Sequence, residues 1–160
     1  MTAMFIRVDL DPSAASDREL AKKLAEICNT LSAAGLGQST AVSIGGDAII
    51  GSTYAELMPL FEADPETRAI VIYSEPGGRM EAELADWVRE HRSRLPLVAF
   101  MAGRFMDEMP GMRFGHAGTI VEGKADTTAD KIARMQAAGI SVAERIEDIP
   151  ALVQERLRGH

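Results

Sequence analysis

The chain has 160 residues and a formal net charge of −7; 46% of it is hydrophobic and only 5% aromatic. That is enough chain for one domain with an aliphatic core, a composition that suits helices packed on a parallel sheet. The acidic balance excludes a general nucleic-acid binder, the lone Cys28 excludes an internal disulfide and most cysteine-based metal sites, and no apolar run approaches the length of a membrane span.

The opening Met1-Thr2-Ala3-Met4-Phe5-Ile6-Arg7 is too short and too soon charged for a signal peptide, so a cytoplasmic protein is expected. Residues 5–10 alternate as a short strand, broken by Asp11-Pro12-Ser13. Leu20, Leu24, Ile27, Cys28 and Leu31 keep helical spacing and predict a helix over residues 16–34. Ser16 with Glu19 gives it a capping-box start, and Gly35 or Gly37 ends it. Cys28 lies in the apolar stripe and reads as a buried small residue. A strand over 40–44 meets Gly45-Gly46-Asp47, and a helix over 53–63 opens near Ser52 or Thr53.

The next unit is the clearest. Ala69-Ile70-Val71-Ile72-Tyr73 is an apolar, largely β-branched run, as a central parallel strand requires. Ser74-Glu75-Pro76-Gly77-Gly78 is its loop, and residues 80–91 form a helix with Leu84, Trp87 and Val88 inward. Residues 95–101 read as another buried strand, 103–118 as a long loop, and 119–121 as a short strand or loop end. Residues 128–138 read as a helix with Ile132 and Met135 on one side, capped by Gly139. A short strand over 140–143 and a terminal helix over 146–157, with Pro150 near its first turn, complete the chain.

Strands alternate with helices throughout, which predicts an α/β fold: a three-layer, doubly wound parallel sheet of the flavodoxin type. Ligands bind such sheets at the loops beyond the carboxyl ends of the strands. The glycine-rich loops at Gly45-Gly46, Gly77-Gly78 and Gly115-His116-Ala117-Gly118 all follow predicted strands, so three of them gather on one edge. A histidine flanked by glycines is poorly shielded, and neighbouring backbone N–H groups are free to turn toward one anion. An imidazole there suits phosphoryl transfer, because it is partly unprotonated near neutral pH and nucleophilic. The plainer alternative is a tight turn with an incidental histidine. His91 reads as a solvated surface residue and Trp87 as core packing. Neither His91 nor His160 has ligand-like spacing with Asp, Glu or Cys, so no structural metal is expected.

Six ordered segments carry a resemblance. They are Gly35-Leu36-Gly37-Gln38-Ser39-Thr40, Ser43-Ile44-Gly45-Gly46-Asp47, Leu60-Phe61-Glu62-Ala63-Asp64-Pro65-Glu66-Thr67, Glu75-Pro76-Gly77-Gly78, Ala102-Gly103-Arg104 and Arg113-Phe114-Gly115-His116-Ala117-Gly118. From about Gly35 almost to its end, the chain resembles the C-terminal, ligase-CoA domain of the succinyl-CoA synthetase α subunit and of nucleoside-diphosphate-forming acyl-CoA synthetases generally. Malate-CoA ligase and citrate-activating relatives share these motifs, so the acid is not fixed.

The resemblance implies that His116 is phosphorylated during turnover and that Glu75 hydrogen-bonds it. A carboxylate on one imidazole nitrogen fixes the tautomer and leaves the other nitrogen to attack phosphorus. It also implies that Gly45 and Gly46 form a neighbouring loop and that Arg113, with Arg104 behind it, helps hold an anion. A strand-to-helix turn capped by Asp47 is the alternative for the first loop, and a solvated charge for either arginine. The substrates of the full complex are CoA and ATP or GTP with Mg²⁺, and no cofactor is tightly bound. The implied partners are an ATP-grasp β-type subunit and a CoA-binding domain on another chain. A homo-oligomer remains open, and no nucleic-acid or membrane partner is implied. Residues 1–160 are expected to be a single ligase-CoA domain, without the family's N-terminal CoA-binding domain.

Two departures from the family keep a second reading open. The family's Ser-Arg-Ser-Gly-Thr-Leu stretch, which opens a helix toward the phosphate, is replaced by residues 9–17, with Asp9, Asp11, Asp17 and Pro12. Phe105-Met106-Asp107-Glu108-Met109 lengthens the loop before His116. The alternative is therefore a non-catalytic subunit-interaction module of the same fold that has lost phosphate chemistry. A flavodoxin-like electron carrier is a third reading, opposed by the missing Ser/Thr-rich phosphate loop and the scarcity of aromatics.

Overall fold

All six side chains of Ala69–Ser74 are buried, so this strand has to be covered on both faces. The computed structural model describes residues 2–7, 16–44, 51–75, 78–103 and 127–159, with the side chains of 2–7, 16–24 and 43 outside that description. The elements are β1 (Thr2–Arg7), α1 (Ser16–Ala33), β2 (Gly37–Ser43), α2 (Tyr54–Ala63), β3 (Ala69–Ser74), α3 (Met80–His91), β4 (Leu97–Met101), α4 (Thr128–Ala137), β5 (Ser141–Ala143) and α5 (Ile149–Arg158). The strands form one sheet in the order β2-β1-β3-β4-β5, and every pairing is parallel.

The period of two along β3 sorts its side chains into two cores. Ile70 and Ile72 pack with Tyr54, Met58 and Phe61 of α2, Leu84 of α3 and Met135 of α4. Ala69, Val71 and Tyr73 pack with Ile27 and Leu31 of α1 and Ile149, Val153 and Leu157 of α5. Leu97, Ala99 and Met101 of β4 join the first core and Val98 the second. The result is the three-layer flavodoxin-type architecture that the alternating pattern predicts.

Within the described residues the expected elements are present, with shifted ends; the short strand or loop end expected over residues 119–121 lies outside the described residues. β1 starts at Thr2 rather than Phe5 because it finds hydrogen-bonding partners on both sides: Thr2 lies opposite Gly37 and Ala3 opposite Ala69. β2 starts at Gly37 rather than residue 40. As an edge strand it carries exposed Ser39, Thr40 and Ala41, which gave no apolar signal. Gly35, at φ +76°, closes α1, and Gly37 opens β2. α2 starts where the cap residues placed it: Thr53 Oγ1 accepts from the Glu56 N–H, and Glu56 Oε2 accepts from the Thr53 N–H.

The last helix divides. Ile146–Asp148 is a single 3₁₀ turn, and α5 begins at Ile149 with Pro150 in its first turn. α4 ends in a Schellman arrangement, with the Ile140 N–H on the Met135 carbonyl at 3.0 Å and the Gly139 N–H on the Gln136 carbonyl at 2.9 Å. Gly139 holds φ +84° there, where a side chain is strained.

Four side chains refine the expectations. Cys28 is half-buried rather than buried, at the margin of the α1 stripe, and partial burial pushes its thiol above the ordinary 9.0. Trp87 and Val88 pack inward against the first core as expected, half-buried where Leu84 is fully buried. His91 is exposed, as expected, but not simply solvated. Its ring stacks on Trp87 one helical turn earlier, with centroids 4.3 Å apart and planes at 9°, and its Nδ1 lies 3.0 Å from the Trp87 carbonyl.

Candidate functional site

Because all strands are parallel, β1, β2, β3 and β4 deliver their following segments to one edge. Register puts Arg7 opposite Ser43 and Tyr73, and Ser74 opposite Met101. The winding reverses between β1 and β3, the switch point where such sheets bind ligands. Glu75 follows β3 directly at this edge and is half-buried. Gly78, just before α3, has φ +68°, which lets the loop turn sharply into the helix.

Beneath Glu75 lies a buried polar cluster. The Ser74 side chain is fully buried, and its hydroxyl donates to Glu81 Oε1 in the first turn of α3. Glu81 Oε2 accepts from Lys131 Nζ at 3.0 Å, with the two side chains 3% and 5% exposed. Lys131 belongs to the first turn of α4, which Thr127 caps by accepting from the Asp130 N–H. The Ser74 carbonyl accepts from the Ala102 N–H at 2.8 Å, immediately past β4. One residue back, the buried Tyr54 hydroxyl donates to the Tyr73 carbonyl at 3.2 Å. The residue before Glu75 is thus tied to β4 through its main chain and to α3 and α4 through its side chain.

Between α3 and α4 lies a cavity of about 330 Å³ lined by Gly78, Arg79, Ala82, Glu83, Asp86, Lys131 and Arg134. Its charges are mixed, so it does not define a site for one sign of ligand. Among the described residues there is no group of three or more His, Cys, Asp or Glu that could hold a metal. No helix among them is long and apolar enough to cross a membrane.

Of the residues singled out in the sequence, Glu75 is described and lies at the predicted edge. Gly45, Gly46, Asp47, Arg104, Arg113, Gly115, His116, Ala117 and Gly118 lie outside the described residues, as do residues 9–15 and 105–109. Sequence reasoning missed Ser74, Glu81 and Lys131. A signal was present: Glu81 shares a helical face with Leu84 and Ala85, and Lys131 with Thr128 and Met135, all of them buried. A charge on an apolar stripe, matched by the opposite charge on a neighbouring helix, marks a buried pair.

The fold and this edge define a doubly wound α/β domain with an acid-bearing loop at its topological switch point. Residues 21–141 match the CoA-ligase family, and the chain belongs to that family. It is 43% identical over 124 residues to the α 1 subunit of the ADP-forming succinate–CoA ligase of Archaeoglobus fulgidus, a match covering 78% of this chain and 41% of that protein. It is 45% identical over 123 residues to the ADP-forming sulfoacetate-CoA ligase subunit SauD of Bilophila wadsworthia, covering 77% and 41%. The chain therefore spans less than half the length of these relatives. Among solved structures, ATP citrate lyase from Methanosaeta concilii superposes over 98% of this chain and 24% of its own, with a TM-score of 0.78 and 24% identity, a likeness of fold.

Proposed function

We propose that the chain is the phosphohistidine-carrying module of a nucleoside-diphosphate-forming acid–CoA ligase. His116 accepts a phosphoryl group: one ring nitrogen attacks phosphorus, an N–P bond forms, and the P–O bond to the nucleoside diphosphate or to the acyl carboxylate breaks. Glu75 accepts a hydrogen bond from the other ring N–H, fixing the tautomer and stabilising the charge that develops on the ring. Gly45, Gly46, Gly115, Ala117 and Gly118 supply close-approaching backbone, and Arg113 supplies positive charge to the phosphate. CoA and ATP or GTP with Mg²⁺ are substrates of the full complex, to which an ATP-grasp β-type subunit and a CoA-binding domain contribute. Residues 1–160 act as a single ligase domain within it.

The observation that carries this reading is how the chain enters and leaves the segment bearing His116. That segment departs beyond β4, where the Ala102 N–H is bonded to the Ser74 carbonyl. It returns into α4, whose first turn places Lys131 on Glu81. Both ends are therefore anchored around Ser74, the residue that precedes Glu75. The family membership adds independent support, since the CoA-ligase match runs over residues 21–141 and so spans this stretch.

The test uses the complex co-purified from cells that express the chain, incubated with γ-labelled ATP or GTP. Acid-labile label on this chain is expected. Label is expected to vanish in His116→Asn and to form about 100-fold more slowly in Glu75→Ala. Equal labelling of His116→Asn and the parent sinks the reading. Absence of label in the parent complex points instead to the non-catalytic interaction module.

A further inference from the structure

We infer that Ser74, Glu81 and Lys131 form a positioning relay that sets the geometry of Glu75 toward His116; this rests on the function proposed above. None of the three is assigned a contact with substrate. They are placed to act through the backbone of β3.

A carboxylate and an ammonium at 3% and 5% exposure are costly to bury. Two apolar side chains of similar size hold a helix pair together as well, without desolvating charge. What an apolar pair lacks is direction. Glu81 presents two oxygens at fixed places, one taken by the Ser74 hydroxyl and one by Lys131 Nζ. Ser74 in turn holds β4 through its carbonyl. This fixes the last residue of β3 against two helices and a strand, and Glu75 is the next residue along. Hydrogen-bond catalysis by a carboxylate depends on sub-ångström placement, which its supporting residues provide.

The experiment separates positioning from mere stability. The 160-residue chain is labelled with ¹⁵N-histidine, and the His116 ring resonances, assigned by loss in His116→Asn, report the tautomer ratio of the neutral ring. Four proteins are compared: parent, Glu75→Ala, Ser74→Ala, and the double replacement Glu81→Leu with Lys131→Met. The double replacement removes the relay but leaves an apolar contact in its place, and Ser74→Ala leaves the Glu81–Lys131 pair intact. Each is also melted. The parent ratio is expected to favour one tautomer. It is expected to shift about ten-fold toward the free-imidazole value in Glu75→Ala, and most of that way in the other two variants while they remain folded. In the co-purified complex, His116 labelling is expected to slow about 10- to 100-fold in Ser74→Ala, with the nucleotide KM unchanged.

A parent-like ratio in folded Ser74→Ala or in the folded double replacement overturns the relay while leaving Glu75 as the histidine's partner. A parent-like ratio in Glu75→Ala overturns the partnership itself, and the relay with it.

Discussion

Replacing Lys131 by Met leaves the Glu81 carboxylate buried without its ammonium. At 3.0 Å, and with an effective dielectric of about 20, the charge–charge attraction is about 5.5 kcal/mol. Desolvating the two ions costs several kcal/mol each, so the intact pair contributes little net stability relative to two apolar side chains. The single variant is different: it keeps the desolvation of Glu81 and loses the attraction, for a cost of about 3–5 kcal/mol. For a chain of this length that lowers the melting temperature by roughly 6–20 °C. Replacing both residues, Glu81→Leu with Lys131→Met, is expected to bring stability back to within about 1 kcal/mol of the parent or above it. Urea unfolding of the parent, both single variants and the double variant gives the interaction energy directly. The reasoning is refuted if Lys131→Met unfolds at the parent's midpoint, or if the double variant loses as much as the single ones.

Two further outcomes follow from local geometry. Asp64 ends α2, and its carboxyl is held below the ordinary 3.8, first by the Thr67 hydroxyl and then by the Glu66 N–H; desolvation opposes these two, and Arg94 adds a lesser lowering. A depressed native pKa favours the ionised form, so this contribution is complete above the unfolded value and is lost as pH falls through the folded one. Asp64→Asn is therefore expected to flatten the stability profile below about pH 4, and urea midpoints across that range that parallel the parent's would contradict this. Gly139→Ala has open space for the new methyl, so only the backbone at φ +84° resists it. A loss of about 1–2 kcal/mol is expected, and an unchanged calorimetric melt would show that α4 ends without strain.

The central strands of the sheet were legible for a simple reason. β3 and β4 are buried on both faces, so their sequences had to be continuous apolar runs. The helices α2 and α3 announced themselves through local chemistry, a cap residue near Ser52 or Thr53 in one case and the inward Leu84 in the other. Edge strand β2 was blurred because its outer positions answer to solvent, not to a core. Glu75 was legible because the residue after a central parallel strand must emerge at the sheet's carboxyl edge.

What the sequence by itself determined is the order of strands and helices along the chain and the family, through motifs read one after another. These properties depend on residues close together in sequence, whose spacing is visible without coordinates. Tertiary structure alone decided that Glu81 and Lys131, 50 residues apart, share one buried ion pair and that Ser74 completes it. It also decided that Arg94 gathers the carbonyls of Phe61, Glu62, Asp64 and Thr67 at and just past the end of α2. Such contacts form only when packing brings distant segments together. A charge on an apolar stripe hints at burial but names no partner, and only the exclusion of water from the folded interior gives the pairing its weight.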